Sequence, residues 1–259
     1  MPDVFMCEVV SCERLTGKLY AIDAVCGGLA EEEIRAGQFF NIKCGNENLL
    51  RRPISVCMAS GGELKFIFEV KGAGTKWLSE RTPGQKLDIH GPLGNGYCLP
   101  DGDIIVVGGG AGSPPMLFAA RSAKAAVTAV LGFSGADAVI LKNEFESVCG
   151  KVYITTDDGS FGIHGTVAVP LKKLLESGGH EAVIACGSPA MLTAVASLCA
   201  QFGVPCQVSL EERMACGVGA CVVCACATIS EGVRSISRVC KDGPVFDASA
   251  VAWLGDVEK

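Results

Sequence analysis

The hydrophobic pattern of this chain changes near residue 100, at Leu99-Pro100-Asp101-Gly102. Before that point, short runs rich in β-forming residues alternate with turn residues such as Gly61-Gly62, which is typical of a small antiparallel barrel. The predicted strands cover residues 4–12, 18–25, 38–44, 53–58, 64–71 and 86–90, with one helix over 75–81. The first part of the chain therefore predicts a six-stranded antiparallel barrel.

Beyond residue 100, apolar runs alternate with segments of helical length. The five predicted strands cover 104–107, 127–131, 152–155, 183–185 and 206–210. Four helices are predicted between these strands. The first begins at Pro114, and the other three cover about 138–148, 166–176 and 190–201. Continuous apolar strands that alternate with helices predict a five-stranded parallel sheet with helices on both faces.

Regular patterning ends after Glu212. Residues 213–245 contain cysteines, glycines and a short hairpin, and a short tail follows. The sequence thus predicts three units: a barrel domain over 1–100, an α/β domain over 101–211 and a small cysteine-rich subdomain over 212–259.

Composition narrows the class of protein. The 259 residues are 49% hydrophobic, which excludes a disordered chain, and the net charge is −6 without a dense basic run. Nucleic-acid binding is therefore not expected. Two long uncharged stretches, 104–120 and 182–203, are interrupted by glycine and proline. We predict no membrane span.

The fifteen cysteines indicate a redox role or metal binding. The first residues, Met1 to Phe5, have neither the basic nor the apolar segment of a secretory leader, so we expect a cytoplasmic protein in which disulfides are unlikely. Eleven of the cysteines are scattered through apolar stretches. These are expected to be small buried hydrophobic residues.

The other four cysteines have a specific spacing. Cys216, Cys221 and Cys224 form a C-x4-C-x2-C motif, and Cys240 follows alone. This is the spacing of plant-type [2Fe–2S] proteins, and Gly217 in the loop allows the backbone to wrap closely around a cluster.

Zinc is the alternative metal, since it also binds four thiolates. Structural zinc sites usually have two short cysteine pairs separated by a longer spacer, whereas three of these ligands lie in one loop. With zinc, the chain would be a binding module whose glycine-rich turns are structural. Cys226, two residues after Cys224, is not assigned as a ligand.

A second motif lies within the barrel. Residues 52–55 read Arg-Pro-Ile-Ser, and residues 72–75 read Gly-Ala-Gly-Thr. An arginine beside a hydroxyl group can hold a diphosphate and reach the edge of a flavin. Gly74 lets the backbone approach a phosphate, and Thr75 can cap the following helix, whose N-terminus attracts anions.

A third motif follows the first parallel strand. Residues 108–115 read Gly-Gly-Gly-Ala-Gly-Ser-Pro-Pro, with Ser113 expected as the N-cap and Pro114 in the first helical turn. The position is that of a dinucleotide-binding turn, with Gly109, Gly110 and Gly112 as candidates. The alternative is that these glycines only allow tight packing of strand against helix.

Two further segments end strands at the same edge of the sheet, where α/β folds bind ligands. Asp157 follows the third parallel strand, and Cys186-Gly187 ends the fourth. Residues 132–135, after the second strand, contain no arginine or lysine for a 2′-phosphate. This favours NAD over NADP.

In this order, the motifs resemble the ferredoxin–NADP⁺ reductase superfamily. Residues 210–221, LEERMACGVGAC, further resemble the electron-transfer subunits of dihydroorotate dehydrogenase B. The resemblance covers nearly the whole chain. It implies FAD on the barrel, a [2Fe–2S] cluster in the tail and NAD on the α/β domain. The FAD-binding residues that it implies are Arg52, Pro53, Ile54, Ser55, Ile67, Phe68, Glu69, Gly74 and Thr75.

The resemblance also implies a route for electrons. They pass from dihydroorotate to FMN in a separate catalytic subunit, then through the cluster to FAD and NAD⁺, in a heterotetramer with two copies of each chain. No protein side chain is expected to be catalytic, and His90, His164 and His180 form no constellation. The alternative is an NAD(P)H-dependent flavin and iron–sulfur reductase subunit of another dehydrogenase, linked to sulfide or ferredoxin.

Overall fold

The structure is a computed structural model that describes residues 3–29, 34–230 and 232–253. The last residues of the predicted subdomain, 254–259, lie outside the described residues. Six antiparallel strands form a closed barrel in the order β1-β2-β5-β4-β3-β6. Their bounds are β1 Asp3–Arg14, β2 Leu19–Val25, β3 Phe39–Ile42, β4 Arg52–Ser60, β5 Glu63–Glu69 and β6 Lys86–Leu93. The predicted six-stranded barrel is confirmed.

The barrel closes because alternate side chains of each strand are apolar and point inward. In β6, for example, every second residue from Leu87 to Leu93 is buried. Phe40 and Phe66 meet edge to face in the interior, with ring centroids 5.8 Å apart. One helix, α1 (Ala73–Ser79), follows β5 and carries the predicted glycine–threonine motif.

The second part of the chain forms a seven-stranded sheet flanked by helices. Its strands are β7 Ile104–Gly109, β8 Val127–Phe133, β9 Lys151–Thr156, β10 Ile163–His164, β11 Ala182–Cys186, β12 Cys206–Ser209 and β15 Val245–Asp247. The helices are α2 Ser113–Ser122, α3 Lys142–Val148, α4 Ala168–Ser177 and α5 Pro189–Phe202. None of the helices in the described ranges is long and apolar enough to cross a membrane.

The strand order of this sheet is β10-β9-β8-β7-β11-β12-β15. The five predicted parallel strands are its centre, and the structure adds one short strand at each edge. At one edge, β10 is parallel to β9. At the other, β15 is antiparallel to β12, so the cysteine-rich end of the chain contributes a strand to the sheet.

The predicted hairpin in the cysteine-rich region is present as β13 (Ala225–Ser230) and β14 (Val233–Arg238). The cysteines beside it pack on the outside of the barrel. Phe39 and Leu93 of the barrel form one apolar cluster with Cys224, Val239 and Cys240. This packing brings the cysteine loop against the barrel rather than leaving it as a separate appendage.

The expectation that the chain lacks disulfides is wrong, because Cys7 and Cys26 are bonded. Their Cα atoms are 4.3 Å apart. In the antiparallel pairing of β1 with β2, Glu8 lies opposite Val25. Cys7, just before Glu8, therefore lies opposite Cys26, just after Val25. Composition and compartment alone cannot show that two scattered cysteines occupy facing positions on neighbouring strands.

The scattered cysteines are mostly buried, as expected, but with exceptions. Cys44, Cys57, Cys186, Cys199 and Cys206 are buried thiols, whereas Cys12, Cys149 and Cys226 are half-buried and Cys98 is exposed. The expectation of burial is therefore wrong for Cys98. It lies in a connecting segment after the barrel, where its backbone N–H and carbonyl bond to the side chain of Gln207.

Candidate functional site

A cleft runs between the barrel and the sheet, and β4 and β5 form one wall of it. Its lining includes all the residues predicted for FAD except Gly74: Arg52, Pro53, Ile54, Ser55, Ile67, Phe68, Glu69 and Thr75. The opposite wall comes from the glycine-rich turn, through Ala111 and Pro115. We call this space the barrel cleft. The structure thus brings two distant sequence motifs onto one surface.

Gly74 lies behind the cleft and supports Arg52. A Cβ atom on Gly74 would lie 2.5 Å from Nε of Arg52 and 2.7 Å from its Cζ. The guanidinium therefore rests on a surface that only glycine leaves free. Its Nη1 also donates to the carbonyl of Leu50. These contacts hold a cationic fork at the cleft, a geometry suited to a diphosphate.

Thr75 contributes to the helix start from within the first turn of α1. Its Oγ1 accepts hydrogen bonds from the backbone N–H groups of Lys71, at 2.9 Å, and Gly72, at 3.3 Å. These bonds fix the loop that leads into α1. The backbone beside Arg52 is thereby held by bonds within the chain itself.

The glycine-rich turn connects β7 to α2 through a single 3-10 turn, Gly110–Gly112. A Cβ atom on Gly112 would overlap the carbonyl of Cys186 and lie 2.8 Å from Cα of Gly187. One on Gly108 would lie 2.7 Å from Cα of Ser113. Tight packing, the alternative reading, therefore accounts for Gly108 and Gly112.

The prediction that Ser113 is the N-cap is wrong. The N-cap is Gly112, and Ser113 is the first residue of α2. Its hydroxyl is buried and has no hydrogen-bond partner among the described residues. The 3-10 turn advances the helix start by one residue, a shift that cap preferences alone do not predict.

A second cleft opens at the carboxyl ends of the parallel strands. Three predicted residues line it, namely Gly109, Gly110 and Asp157, together with Phe133 and Met191. We call it the sheet cleft. Gly112, Cys186 and Gly187 lie behind this lining and shape it. Burial raises the pKa of Cys186 to about 12, so it remains a neutral thiol.

The glycine-rich turn separates the two clefts. Gly109 and Gly110 face the sheet cleft, whereas Ala111, the next residue, faces the barrel cleft. A ligand in one cleft therefore lies a single turn of backbone away from a ligand in the other.

The four predicted metal ligands come together in two pairs. The thiols of Cys216 and Cys221 interact, as do those of Cys224 and Cys240. Within each pair, a backbone N–H of one cysteine bonds to the sulfur of the other, from Cys221 to Cys216 and from Cys240 to Cys224, both at 3.4 Å. Cys224 and Cys240 are buried, and Cys221 is exposed.

The loop backbone favours a thiolate at Cys216. Burial alone would raise the pKa of this thiol, but the N–H groups of Cys221, Val218 and Ala220 point at the sulfur and lower it to about 6. Thiolates are the form that binds metal. The loop backbone therefore favours the form of Cys216 that can bind metal.

Arg238 connects the two cysteine pairs. It forms a salt bridge with Asp242 at 2.9 Å and donates from Nη1 to the carbonyl of Gly219 at 3.1 Å. Gly219 lies between Cys216 and Cys221, and the turn from Arg238 to Asp242 contains Cys240. Both ligand segments are thus fixed to one side chain.

Several residues of the barrel cleft were not predicted. Phe39 and Met214 line it and also belong to the apolar cluster that contains Cys224 and Cys240. Leu210, Glu211 and Glu212 line it as well. They come from the segment that returns from the sheet to the cysteine loop. The motif of residues 210–221 carries the family resemblance, but it does not by itself predict this contact with the barrel cleft.

The comparisons with known proteins agree with this geometry. Residues 211–252 match the family model of the iron–sulfur cluster binding domain of dihydroorotate dehydrogenase B, and the match includes all four cysteines. A dihydroorotate dehydrogenase B (NAD(+)) electron transfer subunit of Desulforamulus reducens is 36% identical, over 98% of this chain and 100% of the relative. The subunit of the same name from Streptococcus pneumoniae R6 is 39% identical, over 94% and 96%.

The chain belongs to the family of dihydroorotate dehydrogenase B electron transfer subunits. A solved structure from this fold, of an NADH-dependent reduced ferredoxin-NADP oxidoreductase, is 30% identical with a TM-score of 0.85, covering 95% of this chain and 89% of that one. The ferredoxin reductase in carbazole 1,9a-dioxygenase is 22% identical with a TM-score of 0.67 over 79% of this chain and 67% of that one, which shows a shared fold.

The cysteine site of this electron transfer subunit fits a two-iron cluster. Each iron of a [2Fe–2S] cluster takes two of the four protein ligands, and the thiols form two pairs. The match to an iron–sulfur domain decides between the two metals considered for these cysteines.

Proposed function

We propose that this chain carries electrons between a dihydroorotate-oxidising partner and NAD⁺. The proposal rests on the position of Phe39 and Met214. Both side chains line the barrel cleft, and both pack in the apolar side-chain cluster that contains the cysteines Cys224 and Cys240. When bound, FAD exchanges a hydride with nicotinamide and single electrons with a [2Fe–2S] cluster, which converts two-electron chemistry into one-electron transfer.

In this proposal, the barrel domain of residues 1–100 binds FAD through the motif of β4. Arg52 provides the cation for the diphosphate, with Gly74 and Thr75 ordering the backbone beside it. The polypeptide of Pro53 to Ser55 and Ile67 to Glu69 forms the wall against the flavin. Leu210 and Met214 add apolar surface to the same cleft.

The α/β domain of residues 101–211 binds NAD in the sheet cleft. Gly109 and Gly110 have no side chain, so they permit the dinucleotide to approach the protein backbone closely. Asp157 also lines this cleft. Gly112, Cys186 and Gly187 fix the turn from behind. The two clefts share the glycine-rich turn, so a nicotinamide in the sheet cleft would lie on the other side of that turn from a flavin in the barrel cleft.

The subdomain of residues 212–259 binds the cluster through Cys216, Cys221, Cys224 and Cys240. Three valines around Cys221 are exposed, namely Val218, Val222 and Val223. Exposed apolar side chains around a redox centre are typical of a docking surface for a protein partner. We propose that the partner is an FMN-containing catalytic subunit in a cytoplasmic heterotetramer, and that it docks on these valines.

Reconstitution with that partner tests the proposal. The chain is co-expressed with a dihydroorotate-oxidising subunit, and NADH formation is followed after dihydroorotate and NAD⁺ are added anaerobically. The purified complex should form NADH, whereas each subunit alone should not. A stable complex that reduces an artificial acceptor with dihydroorotate, but never NAD⁺, would refute the proposed route.

A second function is a reductase subunit linked to ferredoxin. It is supported by the oxidoreductase structure that is 30% identical with a TM-score of 0.85. It predicts that the chain exchanges electrons between NADH and ferredoxin without any dihydroorotate-oxidising subunit. The same preparation, assayed with ferredoxin in place of dihydroorotate, separates the two functions.

A further inference from the structure

A buried asparagine lies beneath the cysteine loop. Asn41, on β3, has only 1% of its surface exposed. Neither Nδ2 nor Oδ1 of its side chain has a hydrogen-bond partner among the described residues. Buried polar atoms almost always have a partner, so this amide lacks an acceptor that the folded, loaded protein should provide.

The amide points at the loop that carries Cys216. Asn41 shares one face of β3 with Phe39, which packs against Cys224 and Cys240. Gly217 lies directly on the amide: a Cβ atom there would overlap Nδ2 and lie 3.2 Å from Cγ. Gly217 also has a φ of +72°, a conformation that favours glycine. The loop can therefore cross the amide only at a glycine.

Other uses of this side chain are less consistent with its position. Asn41 is not among the residues that line the barrel cleft. Arg51 Nη1 donates to its main-chain carbonyl, at 3.3 Å, and leaves the side-chain amide free. The facing residue on β4 is Pro53, which has no N–H group. The donor end of the amide is left facing the segment that supplies the first cluster ligand.

We propose that Asn41 Nδ2 donates a hydrogen bond to a sulfur atom on the Cys216–Cys221 side of the cluster and thereby raises its reduction potential. The inference rests on the proposed function, since it requires a cluster at these cysteines. Reduction adds negative charge to the cluster, and a donor to sulfur stabilises the reduced form more than the oxidised form. Backbone N–H groups already point at Cys216, and Asn41 adds a side-chain donor.

The test replaces the amide by an apolar side chain of similar size, Asn41→Leu, in the complete chain with FAD and cluster. The cluster midpoint potential is measured by a redox titration followed by electron paramagnetic resonance. It should fall by an amount that corresponds to about a tenfold change in the reduction equilibrium, or ~59 mV for one electron. The FAD potential and the iron and sulfide content should not change. Asn143→Leu, at an exposed position on α3, is the matched control and should leave both potentials unchanged.

A second measurement does not depend on the variant. Wild-type chain labelled with ¹⁵N only in asparagine side chains should show a hyperfine coupling from nitrogen to the reduced cluster. Asn95, the other asparagine close to this region, already donates to the carbonyls of Asp242 and Val245, both at 3.1 Å. The coupling should therefore come from Asn41.

The outcomes separate this inference from the proposed function. A loaded wild type without ¹⁵N coupling, or an Asn41→Leu variant with full iron content and an unchanged potential, would overturn the role of Asn41 alone. A wild-type chain that contains no iron or sulfide would overturn both proposals. A purely structural asparagine would change cluster content or stability, but not the potential of a fully loaded cluster.

Discussion

Substitution of Gly74 by alanine should separate flavin binding from folding. Gly74 lies in α1, where alanine is a better helix former by about 1 kcal/mol. Its added methyl group would meet Arg52 at 2.5–2.8 Å, at Nε, Cζ and Nη2. The guanidinium ends a flexible side chain, so it can move away without disturbing the backbone. The folded chain should therefore persist while Arg52 leaves its position at the cleft.

The size of the effect follows from the interaction that Arg52 would lose. A hydrogen bond from a charged group contributes about 1.5–3 kcal/mol. Loss of one such bond to the FAD diphosphate weakens binding about 10- to 150-fold, since 1.4 kcal/mol is a factor of ten. The stability of the FAD-free chain should not fall, because the helix gains propensity. The substitution should therefore weaken FAD binding without lowering the stability of the FAD-free chain.

The assay is a titration of FAD-depleted chain with FAD, followed by flavin fluorescence, together with a thermal melt of the depleted chain. Gly72→Ala is the matched control, two residues away, where an added Cβ meets nothing within 4 Å. Its affinity for FAD should stay close to that of the wild type. Equal affinities for Gly74→Ala and wild type would refute the placement of the diphosphate at Arg52.

Three further tests address the other sites. Gly112→Ala should weaken NADH binding and lower stability by about 1–3 kcal/mol, measured by titration and denaturant unfolding, because its methyl group meets the backbone of the neighbouring strand end. Cys224→Ala should lose the cluster, whereas Cys226→Ala should keep the wild-type iron and sulfide content; equal losses would contradict the ligand assignment. Val222→Asp should weaken binding of the catalytic subunit about tenfold in a calorimetric titration, and Val233→Asp, at an exposed position on the hairpin, should not.

The regular part of the fold was predictable from the sequence because long strands and helices have a clear period. The six barrel strands and five parallel strands each extend over several residues of β-forming or apolar character. The two added edge strands have only two and three residues, Ile163–His164 and Val245–Asp247, which is too short for a periodic signal. Their pairing depends on tertiary contacts.

The sequence predicts that a helix is present more reliably than it predicts the residue at which the helix begins. The third helix was expected from about residue 138 and begins at Lys142, because Leu141 has a left-handed φ of +59°. Ala136–Ala138 form only a separate 3-10 turn. Leucine rarely adopts a left-handed conformation, so nothing in the sequence indicates that the helix cannot extend back through Leu141.

The candidate site was predictable where one segment supplies several neighbouring residues. The Arg-Pro-Ile-Ser motif and the cysteine spacing are local, and the structure places each on one surface. Phe39, Met214 and Asn41 were missed because their importance comes from contact between distant segments. The sequence of a strand does not show which distant segment will pack on a given apolar or amide side chain.

This chain should hold FAD and a [2Fe–2S] cluster close enough to each other to share the electrons of NADH. The direct test is an anaerobic titration of the purified chain with NADH, followed by visible absorption and electron paramagnetic resonance, with flavin, iron and sulfide counted per chain. We predict one FAD, two irons and two sulfides, with both centres reduced by NADH and neither by dihydroorotate alone. A colourless chain, or a cluster that stays oxidised while FAD is fully reduced by NADH, would contradict the account.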